Sequence, residues 1–347
     1  MHHIGLDVGS CKTYVCICDP GGKIQLEKAI KTTWLPRFFE ELEELRGCCR
    51  VVLESCAEAF HIAAWAQGSG HDVRVVPATF AKSLGIGEHG IKTDRRDARA
   101  LAMASCRVDL RSIHIKSVAS RQILAETTAR RTLVNCRTMT INSVRGWLRT
   151  LVLQLPTGRA STFCDRVRSC LEKANRELPS FIEAQLTIIE SLNGQIESMT
   201  KELEERAKAH EVCRLLMSHP GVGPITALEF CATIDEPTRF KHGDKVASYV
   251  GITPGENSSS KKKRRTSITK AGSPELRKLL CQAAWSYYRT QDDETKRWFQ
   301  QIADRRGKKI ALVALMRKIS VTLWAMWRHN ESYKAMPAAT QTQTAAA

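Results

Sequence analysis

Short strand-like runs alternate with helical patterns through about the first hundred residues and then stop, which limits the chain to a mixed domain followed by helices. The runs HIGLDV, TYVCICD and KIQLEKAI read as a meander of strands, because turn-forming residues separate them. A helical pattern at Leu35 to Leu45 follows, and then two buried-strand runs, RVVLES and VRVV, with a helical stretch, Ala57 to Gln67, between them. This part predicts an α/β domain with a mixed sheet and helices on its faces.

The strand pattern is absent from about Ser117 to Ala209. Apolar residues between Ile182 and Leu203 follow three-and-four spacing, which suits a long helical hairpin or coiled coil and equally an amphipathic helix in a bundle. Helical patterns continue after Glu211, and the apolar stripe of Lys308 to His329 is interpreted as core. The predicted organisation is a mixed-sheet domain at 1–112, a central helical segment at 113–210, a mainly helical domain at 211–332 and a disordered, low-complexity tail at 333–347.

The balance of charge favours a polyanionic partner. Lysine and arginine outnumber aspartate and glutamate by 53 to 36, which gives a formal net charge of +17. Such a surplus is typical of nucleic-acid binding, and an acidic membrane surface is the competing interpretation. The sequence contains no apolar run of about 18 residues and no signal-peptide pattern, so we expect a cytoplasmic protein without a membrane partner. The 13 cysteines form no CxxC pair and are interpreted as reduced core residues.

The segment GIKTDRRDARAL places two aspartates among three arginines. Thr93 is a suitable N-cap, and a helix that starts there puts Asp94 and Asp97 on one face of its exposed first turn. The alternative is that acidic residues simply favour a first helical turn, with the arginines as solvated charges. Two further acids, Asp7 and Glu54, end predicted strands, where an unpaired charge is costly.

These four carboxylates would repel one another if they met, unless divalent cations lay between them. Meeting requires that the two strands are neighbours and that the helix packs across their ends. Two Mg²⁺ ions about 4 Å apart are the natural occupants, because such a pair clamps the attacking and leaving oxygens of a phosphodiester. Arg95 and Arg96 would then hold a nucleic-acid backbone beside the metals.

The second half contains two candidate nucleic-acid elements. SHPGVGPITALEF has the turn chemistry of a helix-hairpin-helix, in which Gly221 and Gly223 open the backbone so that amides face a phosphate; a tight turn without a ligand is the alternative. TPGENSSSKKKRRT joins a serine run to five consecutive basic residues, which on their own favour a flexible linker and a phosphate-binding patch. The basic residues are Lys261, Lys262, Lys263, Arg264 and Arg265.

The order of the strands and their terminal acids resembles the ribonuclease H-like (RuvC-like) fold of Holliday-junction resolvases. More closely, IGLDVGS, VVLESCAEAF, GHDVRVVPA and KTDRRDARALA resemble the DEDD-type insertion-sequence transposases, family one-hundred-and-ten of bacterial mobile elements. This family comprises bridge-RNA-guided recombinases and includes the pilin-gene invertases. Leu215 to Leu280 resembles its C-terminal transposase domain. The chain departs from the family at ESCA, where many members have an EATG-like sequence.

The resemblance implies a function and its residues. Asp7, Glu54, Asp94 and Asp97 would hold Mg²⁺, and a serine of the C-terminal domain would attack DNA to form a phosphoserine-linked intermediate. Counting from Thr253 selects Ser259 as this nucleophile, whereas counting back from KAG selects Ser258; Ser260 replaces the glycine that usually follows. A structured guide RNA of the element would select donor and target double-stranded DNA. The family assembles as dimers and tetramers, so a composite site between protomers is expected.

Three rival functions share parts of this pattern. A RuvC-like nuclease or junction resolvase would use the same acids with water as the nucleophile. A sugar-kinase or actin-like ATPase would explain IGLDVGSCKT as a phosphate loop, although a second acidic loop and an adenosine-binding glycine pair are not evident. A non-catalytic nucleic-acid-binding protein would explain the charge but gives no use to the four acids.

Overall fold

The computed structural model describes residues 1–78, 93–106, 110, 112–256 and 265–334. The chain forms two compact units, 1–116 and 117–347. The finer division into four parts stays a prediction. Ser258, Ser259, Ser260, Lys261, Lys262, Lys263 and Arg264 lie outside the described residues, as does most of the tail from 333.

The N-terminal unit is a five-stranded mixed sheet with helices, so the predicted α/β domain is confirmed. Its strands follow the order β3-β2-β1-β4-β5, in which β1, β2 and β3 are antiparallel neighbours and β1, β4 and β5 are parallel. The strands are β1 (His3–Val8), β2 (Lys12–Cys18), β3 (Ile24–Lys31), β4 (Arg50–Glu54) and β5 (Asp72–Val76). The helices are α1 (Leu35–Arg46), α2 (Ala59–Gly68) and α3 (Asp94–Ser105).

The two faces of this sheet are covered differently. Ile4, Leu6 and Leu53 point to one face and join a large core with α1 and α2. Helix α3 covers the other face, where its alanines pack on Cys16 and Cys18 of β2 and its Leu101 packs on β4 and β5. Cysteines and alanines are small, so the helix lies close to the strands.

The described part of the C-terminal unit is mainly helical. Two long helices, α4 (Val118–Thr150) and α6 (Ser180–Ala209), pack together, and the coiled-coil interpretation of this pair stays a prediction. The other helices are α5 (Phe163–Lys173), α7 (Glu211–Met217), α8 (Pro224–Ile234), α9 (Gly243–Val250), α10 (Pro274–Thr290), α11 (Glu294–Arg306) and α12 (Lys308–His329). A two-stranded antiparallel sheet of β6 (Pro254–Glu256) and β7 (Arg265–Ile268) follows α9.

Helix α12 has the interior role expected from its apolar stripe, except at Ile310, which was expected in the core and is 46% exposed. Among the described residues it is the one helix long and apolar enough to cross a membrane. Its Leu315, Ile319 and Leu323 are nevertheless buried in the core of the C-terminal unit, together with α8 and α10. A buried helix of a folded core passes the same test, so α12 is read as core. Tyr333 follows α12 and belongs to the predicted tail. Its hydroxyl group nevertheless forms a hydrogen bond of 2.7 Å with the hydroxyl group of Tyr287.

Candidate active site

Strands β1 and β4 bring two acids to one edge of the sheet. They are parallel neighbours, with Leu6 opposite Leu53, and Asp7 and Glu54 are the next residues on the two strands. Neighbouring strands lie about 5 Å apart, and successive side chains alternate between the faces. Since Leu6 and Leu53 face the α1–α2 core, Asp7 and Glu54 point to the face that α3 covers. Both are partly buried.

Helix α3 begins at this same edge. Thr93 caps it, as predicted, by accepting a hydrogen bond from the Arg96 amide at 3.4 Å. The other end of the helix lies at the start of β4, where the Arg50 guanidinium donates to the Ser105 carbonyl at 3.4 Å. The helix therefore runs antiparallel to β1 and β4. Its first turn, with Asp94 and Asp97, lies toward the ends of the strands that carry Asp7 and Glu54.

Gly5 allows α3 to approach the sheet. A Cβ at this position would lie 2.0 Å from the Ala98 carbonyl oxygen and 2.4 Å from the Ala102 amide nitrogen, distances that real atoms do not reach. Only glycine fits where two backbones are this close. Sequence reasoning missed this role, although the signal was present: a glycine in the middle of a strand and alanines four residues apart in ARALA.

Asp97 is the most unusual acid of the four. The first turn was expected to be exposed, which is correct for Asp94 and wrong for Asp97, whose side chain is 2% exposed. Both of its carboxylate oxygens are buried and lack a hydrogen-bond partner among the described residues. Burying a charged carboxylate without a partner is strongly unfavourable, so this position calls for a cation.

The four acids nevertheless do not form a closed ligand cluster. Within the described ranges, no group of three or more His, Cys, Asp or Glu side chains is arranged closely enough to hold a metal ion. The chemistry of the four side chains nevertheless fits a metal ion, because every candidate ligand is a carboxylate oxygen, which Mg²⁺ prefers. The two oxygens of Asp97, which lack partners among the described residues, could coordinate such an ion.

Two arginines of α3 are tied to the sheet by Glu27 of β3. Arg95 lies 2.7 Å and Arg99 3.0 Å from the same carboxylate oxygen. Hydrogen bonds from Arg99 and then Arg95 lower the pKa of Glu27 to about 2. Arg95, predicted to contact nucleic acid, is therefore already engaged by a carboxylate, while Arg96 is exposed. Glu27 was missed because KIQLEKAI looks like an ordinary solvent-facing strand.

The two glycines of the second motif have different surroundings. Gly221 has a φ of 84°, and a Cβ there would lie 2.5 Å from the Ala283 carbonyl oxygen of α10. Its role in the fold is close packing, as in the tight-turn alternative. Gly223 caps α8, and a Cβ there would meet nothing within 4 Å. A phosphate contact at this turn stays a prediction, and Gly223 is the more open of the two glycines.

His219 stabilises the same turn from inside. The residue is 3% exposed, and its ring contacts the tilted rings of Tyr333 and Tyr287, with centroids 4.4 Å and 5.5 Å away. Burial lowers the pKa of His219 to about 4, so the ring is neutral at ordinary pH. A neutral, buried ring packed against two tyrosines is a core element rather than a phosphate ligand.

Comparison with known proteins defines the class. Residues 4–152 match a DEDD-type IS110 model described as "Transposase", and residues 213–300 match one described as "Transposase IS116/IS110/IS902 family". The mixed sheet with its edge carboxylates, joined to a helical unit, is thus that of an insertion-sequence transposase, an enzyme that recombines DNA. Both matches support an insertion-sequence transposase of the IS110/IS116/IS902 family.

Two relatives extend this similarity along nearly the whole chain. The transposase for insertion sequence element IS1111A of Coxiella burnetii is 29% identical over 338 residues, which are 95% of this chain and 91% of the relative. The transposase for insertion sequence element IS1328 of Yersinia enterocolitica is 25% identical over 332 residues, 93% of this chain and 96% of the relative. Both units of the chain therefore take part in the match.

Proposed function

We propose that this transposase is an RNA-guided recombinase that cleaves and rejoins DNA through a phosphoserine-linked intermediate, with Mg²⁺ held by Asp7, Glu54, Asp94 and Asp97. The observation that supports the metal site is Asp97, a buried carboxylate whose two oxygens lack partners among the described residues. It lies in the helical turn directed toward the ends of β1 and β4, where Asp7 is the last residue but one of β1 and Glu54 is the last of β4. All four acids lie within the first family match. The serine run lies within the second.

The residues around this edge would prepare it for a metal. The N-terminal end of α3 carries a partial positive charge, which favours the carboxylates of its first turn. The Glu27 pairs with Arg95 and Arg99 hold that turn against the sheet, so Asp97 does not have to be positioned when substrate arrives. Bound Mg²⁺ would neutralise charge that develops on the phosphate.

The proposed covalent step uses Ser259 or Ser258. Its Oγ forms a bond to the phosphorus while the bond to the 3′ oxygen breaks; the serine loses its proton and the departing oxygen gains one. The energy of the phosphodiester is kept in the protein–DNA ester, which a 3′ hydroxyl can later attack. Lys261, Lys262, Lys263, Arg264 and Arg265 would stabilise the charge on the phosphorane.

Wild-type protein, Mg²⁺ and DNA with the element's ends should yield an adduct that survives denaturation and disappears after protease treatment. This is measured with end-labelled DNA on denaturing gels. Ser259→Ala should lose the adduct and keep DNA binding; loss with Ser258→Ala alone moves the nucleophile by one residue. Efficient cleavage by the variant with Ser258, Ser259 and Ser260 all changed to alanine would refute the serine mechanism and indicate water as the nucleophile.

The proposed partners are a structured RNA encoded by the element, donor and target double-stranded DNA, and further copies of this chain in a dimer to tetramer. The support is the +17 charge together with the family resemblance. Expression with the native flanking noncoding DNA should give purified protein that carries one discrete RNA, seen by sequencing the bound nucleic acid, and light scattering should give the mass of an oligomer. An RNA-free monomer that recombines DNA at full rate would contradict this composition.

A further inference from the structure

The C-terminal unit contains a groove that the proposed chemistry does not use. It lies between strand β7 and helices α11 and α12, and its volume is about 830 Å³. The side of α12 opposite its core stripe forms the floor: Ile310, Val313 and Val321 line the groove, whereas Leu315 and Ile319 face the core. Ile310 is 46% exposed, so this floor is an apolar surface open to solvent.

Basic side chains surround this apolar floor. Arg306 ends α11, Lys309 lies in the first turn of α12, and Arg317 and Lys318 lie further along that helix. Arg317 pairs with the carboxylate of Asp244 at 2.8 Å, and the Lys318 ammonium lies 5.0 Å from the centre of the Trp298 ring. Arg306 and Lys309 are exposed and have no ion-pair partner among the described residues. The rim therefore carries net positive charge.

An apolar floor, an aromatic wall and a cationic rim match the parts of a single nucleic-acid strand. Proteins that bind unpaired strands combine a positive groove for the backbone with aromatic or apolar surfaces for the bases. A duplex presents phosphates outside and hides its base faces, so it would leave the floor of this concave groove uncovered. The volume also lies in the range of pockets that enclose a small organic group such as a nucleotide.

We propose that this groove binds an unpaired segment of the DNA that the transposase recombines. Its bases would rest on the Ile310–Val313 floor beside Trp298, and its phosphates would contact Arg306 and Lys309. DNA is the occupant favoured here because transposases act on DNA and because β7, one wall of the groove, begins at Arg265, the last residue of the basic run that follows the serines. The inference rests on the transposase function but not on the serine mechanism.

The chain offers a matched pair of variants. Arg306→Ser with Lys309→Ser removes two groove cations, and Arg305→Ser with Lys308→Ser removes two cations from the preceding positions of the same helices, which do not line the groove. All four side chains belong to exposed residues. The probe is a labelled oligothymidylate of about ten nucleotides, a length typical of single-strand sites, followed by fluorescence anisotropy over a salt series. The full chain is used after ribonuclease treatment and without Mg²⁺.

The groove variant should bind the single strand about tenfold more weakly at moderate salt, and its salt slope should fall by about 1.4, which is two lost phosphate contacts. The Arg305/Lys308 variant should stay close to wild type. Equal losses for both variants would overturn the proposal, because they would indicate only the general positive field. Loss of binding to a matched oligouridylate but not to the DNA would also overturn it, by assigning the groove to RNA.

A second variant tests the floor independently of charge. Ala314→Phe places a ring in the groove, and thermal unfolding should establish that it is folded. We expect weaker binding to the single strand and unchanged binding to a duplex of the same sequence. An equal loss for the duplex would overturn the unpaired-strand assignment. Because no step requires cleavage, a failure of the serine mechanism would leave these binding results unaffected.

Discussion

Replacing Asp97 by asparagine should abolish DNA cleavage and, in metal-free buffer, raise the stability of the N-terminal unit. The carboxylate is buried and both of its oxygens lack partners among the described residues, so its charge opposes folding when no metal is bound. Asparagine keeps the shape and removes the charge, which we expect to stabilise this unit by about 1 kcal/mol. Cleavage is measured with Mg²⁺, and unfolding is followed thermally in EDTA.

The control for Asp97→Asn is Asp165→Asn. Asp165 also lies in the first turn of a helix, α5, but it is exposed. Its replacement should change neither cleavage nor stability by a large amount. Added Mg²⁺ should raise the unfolding temperature of wild-type protein more than that of Asp97→Asn, because a ligand stabilises the state that binds it. An Asp97→Asn protein that cleaves DNA at the wild-type rate would show that the proposed metal site is wrong.

Gly5→Ala should unfold or severely destabilise the N-terminal unit, although it adds one methyl group to a residue without a side chain. The new carbon would lie 2.0 Å from a backbone oxygen of α3, so the helix or the strand must move. Backbone cannot move aside as a flexible side chain can, and overpacking in a core costs about 1 to 3 kcal/mol or more. Because α3 carries Asp94 and Asp97, cleavage should fall together with stability.

Gly68→Ala provides the comparison for this effect. Gly68 ends α2 in the same unit, and a Cβ there would meet nothing within 4 Å. Alanine in a helix is favoured over glycine by up to about 1 kcal/mol, so this variant should be as stable as wild type or slightly more stable. The midpoints of chemical unfolding of both variants and of wild type measure this difference in stability. Similar midpoints for Gly5→Ala and wild type would mean that α3 does not pack on β1 as described.

Local patterns predicted much of the fold. The run HIGLDV corresponds to strand β1, and the apolar stripe from Lys308 to His329 has the same limits as helix α12. The first helix, expected at Leu35 to Leu45, ends one residue later. These features depend on hydrophobic periodicity and on capping, which are properties of neighbouring residues. The expected meeting of Asp7 and Glu54 at one edge of the sheet depended in addition on whether β1 and β4 are neighbours, which local patterns do not specify.

Contacts between distant segments could not be predicted in the same way. Glu27 lies 68 residues before Arg95, and nothing in its own segment indicates the pair. Asp97 has the sequence signature of an exposed first turn, and its burial follows only from how closely α3 approaches Gly5. For Gly221, glycine is required by both phosphate binding and close packing, so the residue type alone could not separate the two roles.

The ion pairs of Glu27 with Arg95 and Arg99 determine how the attachment of α3 to the sheet depends on pH. Its pKa of about 2 lies below the ordinary value of 4.5, so the stability that it contributes is fully present above about pH 4.5 and is lost only as the pH falls toward 2. Its carboxylate is 11% exposed, whereas the Arg95 and Arg99 side chains are 60% and 44% exposed, so salt screens these ion pairs in part. The ion pairs that hold α3 on the sheet therefore keep the same protonation state throughout the neutral pH range in which such an enzyme is assayed. A titration seen in cleavage between about pH 5 and 9 therefore reports on the reacting groups and not on detachment of this helix.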